Sequence, residues 1–290
     1  MKRLLIIGCG DVALRTIPLL TTRYRVFALI RNPAYRAGLR ALGVTPVPGD
    51  LDARTSLARI KGWADAVLHF APPPNAGVSD TRTRNLLAVL SGGVLPQRLI
   101  YISTSGVYGD CAGAWVAETT PTNATNPRAL RRVDAEQQVR AWGQRNRVRA
   151  SILRVPGIYA ADRLPLERLR AGSPAIRSGE DSYSNHIHAD DLAHIVINAL
   201  RYSKTNRVYH ASGDDEMKMG DYFDAVADAC SLPRPPRLPR AEVQSLVSPM
   251  MWSFMNESRR LTNSRMKQEL RVRLSYPTVS NALSHVNPSP

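Results

Sequence analysis

Long apolar runs are missing from this sequence, and so are linkers, internal repeats and low-complexity tracts. No stretch approaches the ~20 apolar residues that cross a bilayer as a helix, so no membrane partner is expected. The start, Met1-Lys2-Arg3-Leu4-Leu5-Ile6-Ile7-Gly8-Cys9, superficially resembles a lipoprotein leader. Only four apolar residues precede Gly8, whereas a signal segment needs roughly 7–15. The segment reads as a buried strand and the protein as cytoplasmic. Cysteine is scarce. Cys9, Cys111 and Cys230 are odd in number and widely spaced, which excludes a disulfide framework and a zinc motif. Lysine is scarce too: only five of the 39 basic residues are lysine, so arginine carries the net charge of +15. Such a charge points in principle to polyanions. The arginines are scattered, however, and do not interleave with aromatics, so nucleic acid is not the expected partner. A phosphorylated cofactor or substrate needs only two or three of them. No Gly-x-Ser-x-Gly elbow occurs, which argues against a hydrolase.

What is present is an alternation. Arg3–Ile7, Arg25–Ile30, Val44–Val47, Ala64–Phe70, Arg98–Ser103 and Val148–Val155 read as strands. Asp11–Leu20, Ala34–Leu42, Ala53–Lys61, Thr81–Ser91 and Arg128–Arg145 between them read as helices. Strands alternating with helices at this pace predict an α/β fold with a doubly wound parallel sheet. After Val155 the pattern loosens, with helices expected at Ala189–Tyr202 and Gly220–Cys230 and a strand at Arg207–Ala211. The expected division is a dinucleotide-binding domain over 1–155. A smaller C-terminal substrate lobe over 156–290 would be interleaved with it and packed on the sheet.

The first thirty residues predict a phosphate cradle. Gly8-Cys9-Gly10-Asp11-Val12-Ala13 fits G-x-G-x-x-A between a strand and a helix. Gly8 permits a tight turn, Gly10 lets a pyrophosphate approach the backbone, and Ala13 lets the helix pack on the strand. The helix N-terminus then presents free N–H groups to the phosphates. Gly8, Gly10, Asp11, Val12 and Ala13 are expected along the pyrophosphate. The second strand ends in Arg31-Asn32, where an NAD site usually carries a carboxylate for the ribose 2′-hydroxyl. A guanidinium there suits a 2′-phosphate, so NADP is favoured over NAD, with Arg31 and Asn32 at the adenosine.

Further motifs resemble the short-chain dehydrogenases/reductases, in particular an atypical, extended form of the NAD-dependent epimerase/dehydratase group. They are Gly49-Asp50-Leu51-Asp52, Phe70-Ala71-Pro72-Pro73, Tyr101 to Asp110 with its Val107-Tyr108-Gly109, Leu153 to Tyr159, and Ile187-His188-Ala189-Asp190-Asp191-Leu192. The resemblance implies a Rossmann sheet and hydride transfer to or from a nicotinamide. It places Asp50 and Leu51 at the adenine, and Ala71, Pro72, Arg132 and Pro156 along the ribose and nicotinamide. Thr104, four residues before Tyr108, matches the hydroxyl that bonds the reacting oxygen. The family's Tyr-x-x-x-Lys is replaced: aligned on Pro127 and Glu136, it becomes Arg128-x-x-x-Arg132. Arg132 can still donate to ribose hydroxyls, but Arg128 cannot shuttle a proton, because a guanidinium pKa lies above ~12.

Tyr108 is the nearest phenol able to replace the missing one, although its family role is mainly structural or substrate-facing. Tyr159 is expected to line the substrate pocket, with packing as the alternative. His186 and His188 form a His-x-His pair without an evident third ligand, so no metal is expected, and His186 is placed on the substrate side. Two functions stay open: an oxidoreductase or epimerase acting on a small, anionic substrate, with Thr104, Tyr108 and Arg128 in its chemistry, or a non-catalytic NADP(H)-binding regulator. An open cleft at Arg128 would favour the first and a sealing ion pair the second. Arginines 128, 131, 132, 140 and 145 along the helix that joins many relatives into dimers predict a monomer or loose homodimer.

Overall fold

The computed structural model describes residues 1–284; residues 285–290, at the end of the expected C-terminal lobe, lie outside the described residues. Seven strands form one sheet: β1 (Lys2–Ile7), β2 (Tyr24–Ile30), β3 (Thr45–Pro48), β4 (Ala66–His69), β5 (Arg98–Thr104), β6 (Arg149–Val155) and β7 (Arg207–His210). Every neighbouring pair is parallel, in the order β3-β2-β1-β4-β5-β6-β7. The order reverses between β1 and β4, and such a switch point opens a crevice at the strands' carboxyl ends. Pro46 and Pro48 fall on β3, at the sheet edge, where a missing N–H leaves no ladder bond unmade.

The main helices are α1 (Asp11–Thr21), α2 (Arg36–Ala41), α3 (Thr81–Leu90), α4 (Pro127–Asn146), α5 (Ala189–Tyr202) and α6 (Met219–Ala229). The apolar runs are explained by burial on both faces. Leu4 and Ile6 pack with Ile17 and Leu20 of α1 and Ile195 and Val196 of α5. Leu5 and Ile7 pack with Leu86 and Leu90 of α3 and Val139 and Trp142 of α4. All four strand residues are fully buried.

Two elements depart from expectation. Ala53–Lys61 is a 3₁₀ helix over Arg54–Ile60. Its buried residues, Leu57 and Ile60, are three apart, a spacing that eclipses in a three-residue turn. Ala34–Leu42 divides into a 3₁₀ turn over Pro33–Tyr35 and the short α2.

The second half of the chain does not stay apart from the sheet. It contributes β7, which pairs with β6, and α5, which packs against α1. The remainder, including α6 and the short helix Val279–Leu283, gathers around its own core of Tyr159, Tyr222, Phe223, Val226 and Val279.

Candidate functional site

Two clefts open at the carboxyl ends of the strands. The first, about 320 Å³, is lined by Gly8, Arg31, Asn32, Asp50, Leu51, Ala71 and Pro72, all expected cofactor residues, together with Cys9, Tyr35 and Arg82. The turn out of β1 needs glycine: Gly8 has φ +92°, and a Cβ there would lie 2.5 Å from the Ala71 nitrogen. Nothing lies within 4 Å of the direction a Gly10 Cβ would take. Gly10 caps α1 without a side-chain hydrogen bond, so the cap residue claims none of the first N–H groups of the helix. A turn pressed to the strand, an open direction above Gly10 and uncapped helix donors together fit a dinucleotide pyrophosphate.

Arg31 is exposed at the cleft. Arg82, which no motif announced, donates to both oxygens of Asp52 at 2.8 and 2.7 Å and to the carbonyls of Pro72 and Pro73. Its hydrogen bonds hold the Asp52 carboxyl below the usual range. Asn32 accepts from the Ala34 N–H at 2.9 Å, which fixes its amide as the cap of the following turn. Burial pushes the Cys9 thiol up to about 11, so it stays protonated.

The other expected cofactor residues separate. Ala13 is fully buried in the core, so it admits the helix to the sheet and touches no ligand space. Asp11 sits at the start of α1, bonded to Arg15 at 3.1 Å and to Arg163 of the second lobe at 2.7 Å. Burial opposes ionisation there, but the hydrogen bonds from Arg163 and Arg15 outweigh it and hold the carboxyl below its ordinary value. Val12 is partly buried against the same core as Ala13. Arg132 donates to Tyr101 Oη at 3.0 Å and to the Ile102 carbonyl at 2.8 Å, at the end of β5.

The second cleft, about 450 Å³, brings together Thr104, Arg128, Pro156 and His186 with Tyr183, Tyr222, Phe254, Glu257 and Arg259 of the second lobe. Thr104 ends β5, and its Oγ1 accepts from the Gly106 N–H at 3.2 Å, which leaves its own proton available to an acceptor in the cleft. Arg128 is the second residue of α4, behind the cap made by Asn126. Its guanidinium lies 5.0 Å from the centre of the Phe254 ring. His186 is buried and stacked on Tyr222 at 4.1 Å. Burial lowers its pKa to about 3, so it is neutral and cannot act as an acid near pH 7. None of the second-lobe residues except His186 belongs to a motif, and no sequence signal pointed to them.

Two expected residues lie elsewhere. Tyr108 is 1% exposed, and its Oη meets Arg154 Nη1 and His210 Nε2, both at 2.6 Å. Burial raises its pKa to about 12. A phenol so enclosed cannot serve the acid–base role considered for it; it belongs to a network in which Arg154 pairs with Glu136 at 2.7 Å and Ser103 donates to Glu136 at 2.6 Å. Tyr159 donates to the Thr278 carbonyl at 3.3 Å and lines a separate cavity beside Arg15 and His188. His188 caps α5 and packs on Tyr276. Among the described residues no three His, Cys, Asp or Glu side chains group as metal ligands, and no helix is long and apolar enough to cross a membrane.

Comparison with known proteins places this geometry. The NAD-dependent epimerase/dehydratase family matches residues 15–212, beginning just after the glycine loop. The dTDP-glucose 4,6-dehydratase of Mycobacterium tuberculosis is 28% identical over 193 residues, 59% of this chain and 57% of that protein. The chain thus spans about half the length of the curated relatives it matches. Among solved structures, a functionally unknown conserved protein from Silicibacter pomeroyi superposes with TM-score 0.80 at 28% identity, over 99% of this chain and 98% of that one. DesIV, a dTDP-glucose 4,6-dehydratase from Streptomyces venezuelae with NAD and TYD bound, gives TM-score 0.78 at 20% identity, over 98% and 95%. At that identity the second likeness speaks for the fold alone. Family match, strand order and glycine turn agree: this chain belongs to the NAD-dependent epimerase/dehydratase family.

Proposed function

We propose that the protein is a nicotinamide-dinucleotide-dependent oxidoreductase or epimerase of atypical chemistry, acting on a small molecule in the cleft beyond β5 and β6 and preferring NADP. When bound, the cofactor supplies or accepts a hydride. The observation that carries the reading is the placement of two clefts at the carboxyl ends of one sheet, one beside the Gly8 turn that leads into α1, the other walled by Thr104 and Arg128. Thr104 donates a hydrogen bond to the reacting oxygen. Arg128 and Arg132 stand where relatives carry Tyr and Lys. Arg132 orients ribose hydroxyls, whereas Arg128 holds its proton permanently. The proton therefore comes from water or another side chain. General acid–base groups contribute ~10²–10⁴-fold, so a slower turnover than that of a tyrosine-bearing relative is expected.

The preference for NADP rests on Arg31. DesIV holds NAD, so the two cofactors must be compared directly. No carboxylate follows β2, Arg31 is exposed at the cleft, and the nearby Asp52 is already taken by Arg82. A sealing ion pair at Arg128 would have favoured the regulator alternative. Among the described residues no carboxylate pairs with Arg128, which favours the enzyme. Titration with NADPH and NADH, followed by tryptophan fluorescence, tests the proposal. A charged hydrogen bond is worth ~1.5–3 kcal/mol, so Arg31→Asp should weaken NADPH by roughly 10–100-fold and leave NADH nearly unchanged. Binding of neither nucleotide would overturn the oxidoreductase reading.

A further inference from the structure

The cleft beyond β5 and β6 is more positive than a neutral substrate requires. Three guanidiniums line it, from Arg128, Arg163 and Arg259, against the single carboxylate of Glu257. Glu257 is already committed, bonded to Arg259 at 2.8 Å and accepting from Asn126 Nδ2 at 3.2 Å. Arg163 is bonded to Asp11 at 2.7 Å. Arg128 has no such partner among the described residues; only the face of Phe254 meets it. Burial, Arg132 and Arg131 all press its pKa down. The first turn of α4 contains no acidic residue, so the positive end of the helix adds to the same field. In the same cleft, Arg259 Nε is buried without a hydrogen-bond partner among the described residues. Arg128 is exposed and lines the cleft beside other cations, so its guanidinium is open to a bound oxyanion through two parallel N–H···O bonds.

We infer that this cleft is an oxyanion site in which Arg128, beside the ring of Phe254, receives the carboxylate or phosphate of the substrate. The inference deepens the functional reading, on which it rests for the reaction though not for the binding. The substrate class becomes a small carbonyl or hydroxyl compound bearing an oxyanion, anchored by the residue that stands where relatives carry the acid–base phenol.

The probes are inorganic phosphate and oxalate, titrated at constant ionic strength against chloride, with melting temperature and tryptophan fluorescence as readouts. At least one is expected to bind saturably, and the tighter of the two identifies phosphate or carboxylate as the group. Arg128→Gln should weaken that binding at least tenfold, melt no lower than the parent and bind NADPH as the parent does. Arg128→Lys, which keeps the charge but loses the fork, should weaken it several-fold. Arg140→Gln, exposed on the same helix, should leave it unchanged. Equal anion affinity in the parent and Arg128→Gln, or no saturable binding of either anion, overturns the proposal. Loss of the anion with Arg128→Gln in a protein that binds no nucleotide would uphold the site and refute the cofactor reading instead.

Discussion

Glu136→Ala should be among the most damaging single changes in the chain, and the reason is Arg154. The two side chains are 5% and 4% exposed. Arg154 spends Nε and Nη2 on Glu136 and Nη1 on Tyr108. Removing the carboxylate strands a cation in the interior, which costs about 3–5 kcal/mol, and takes the acceptor from Ser103 Oγ, about 1–3 kcal/mol more where the hydroxyl finds no water. The pair also fastens α4, which carries Arg128 and Arg132, to β5 and β6, whose ends form the second cleft. Glu136→Gln combined with Arg154→Met removes both charges and keeps an acceptor for Ser103. It should cost at least ~1 kcal/mol less than Glu136→Ala, because the stranded charge dominates the single variant. Urea unfolding followed by tryptophan fluorescence measures both. If Glu136→Ala stayed within ~1 kcal/mol of the parent, or the paired variant lost as much as the single one, the pair would not be the clamp described.

Gly8→Ala would place a methyl 2.7 Å from Ala71 Cα at φ +92°, a conformation costing ~1–2 kcal/mol before any clash. NADPH binding should fall below detection by fluorescence titration; retained affinity would contradict the cradle. Tyr108→Phe removes the oxygen shared by Arg154 and His210, so the melting midpoint should drop in line with about 1–3 kcal/mol while NADPH affinity holds. Burial lowers His69 and His186 to about 3 and His210 to about 4, against ~6.5 unfolded. The unfolded chain therefore takes up protons first on acidification. The stability is fully present above pH ~6.5 and is lost as pH falls toward 4. A melting temperature that stayed flat from pH 7 to 4.5 would refute this.

The sheet was largely legible because its chemistry is local. Leu4 to Ile7 must be buried on both faces, and Gly8 and Gly10 must follow where the backbone turns toward open space. Direction was not legible. Tyr108 and Tyr159 sit near strand ends, as the spacing implied, yet packing turns both phenols away from the second cleft, into a buried network and toward Thr278. The second lobe was the least legible part. Its two- and three-residue strands, such as Ala175–Ile176 and Arg237–Leu238, are too short to show a period, so Phe254, Glu257 and Arg259 gave no sign of sharing a wall with Thr104. That Arg128 lacks a counter-ion among the described residues is a property of three dimensions alone.

The late arrival of β7 and α5 has a consequence during synthesis. When Val155 has left the ribosome, β6 is still a bare edge and the face of α1 that α5 will cover is wet. About fifty more residues must follow before Arg207–His210 can close the ladder. At ~5–20 residues per second that is an interval of roughly 3–10 s. Throughout it the nascent chain presents an open strand edge and the apolar side of a helix, a combination that invites edge-to-edge association. Chaperone demand should therefore peak late in translation, and fragments ending near residue 155 should be recovered chiefly as aggregates.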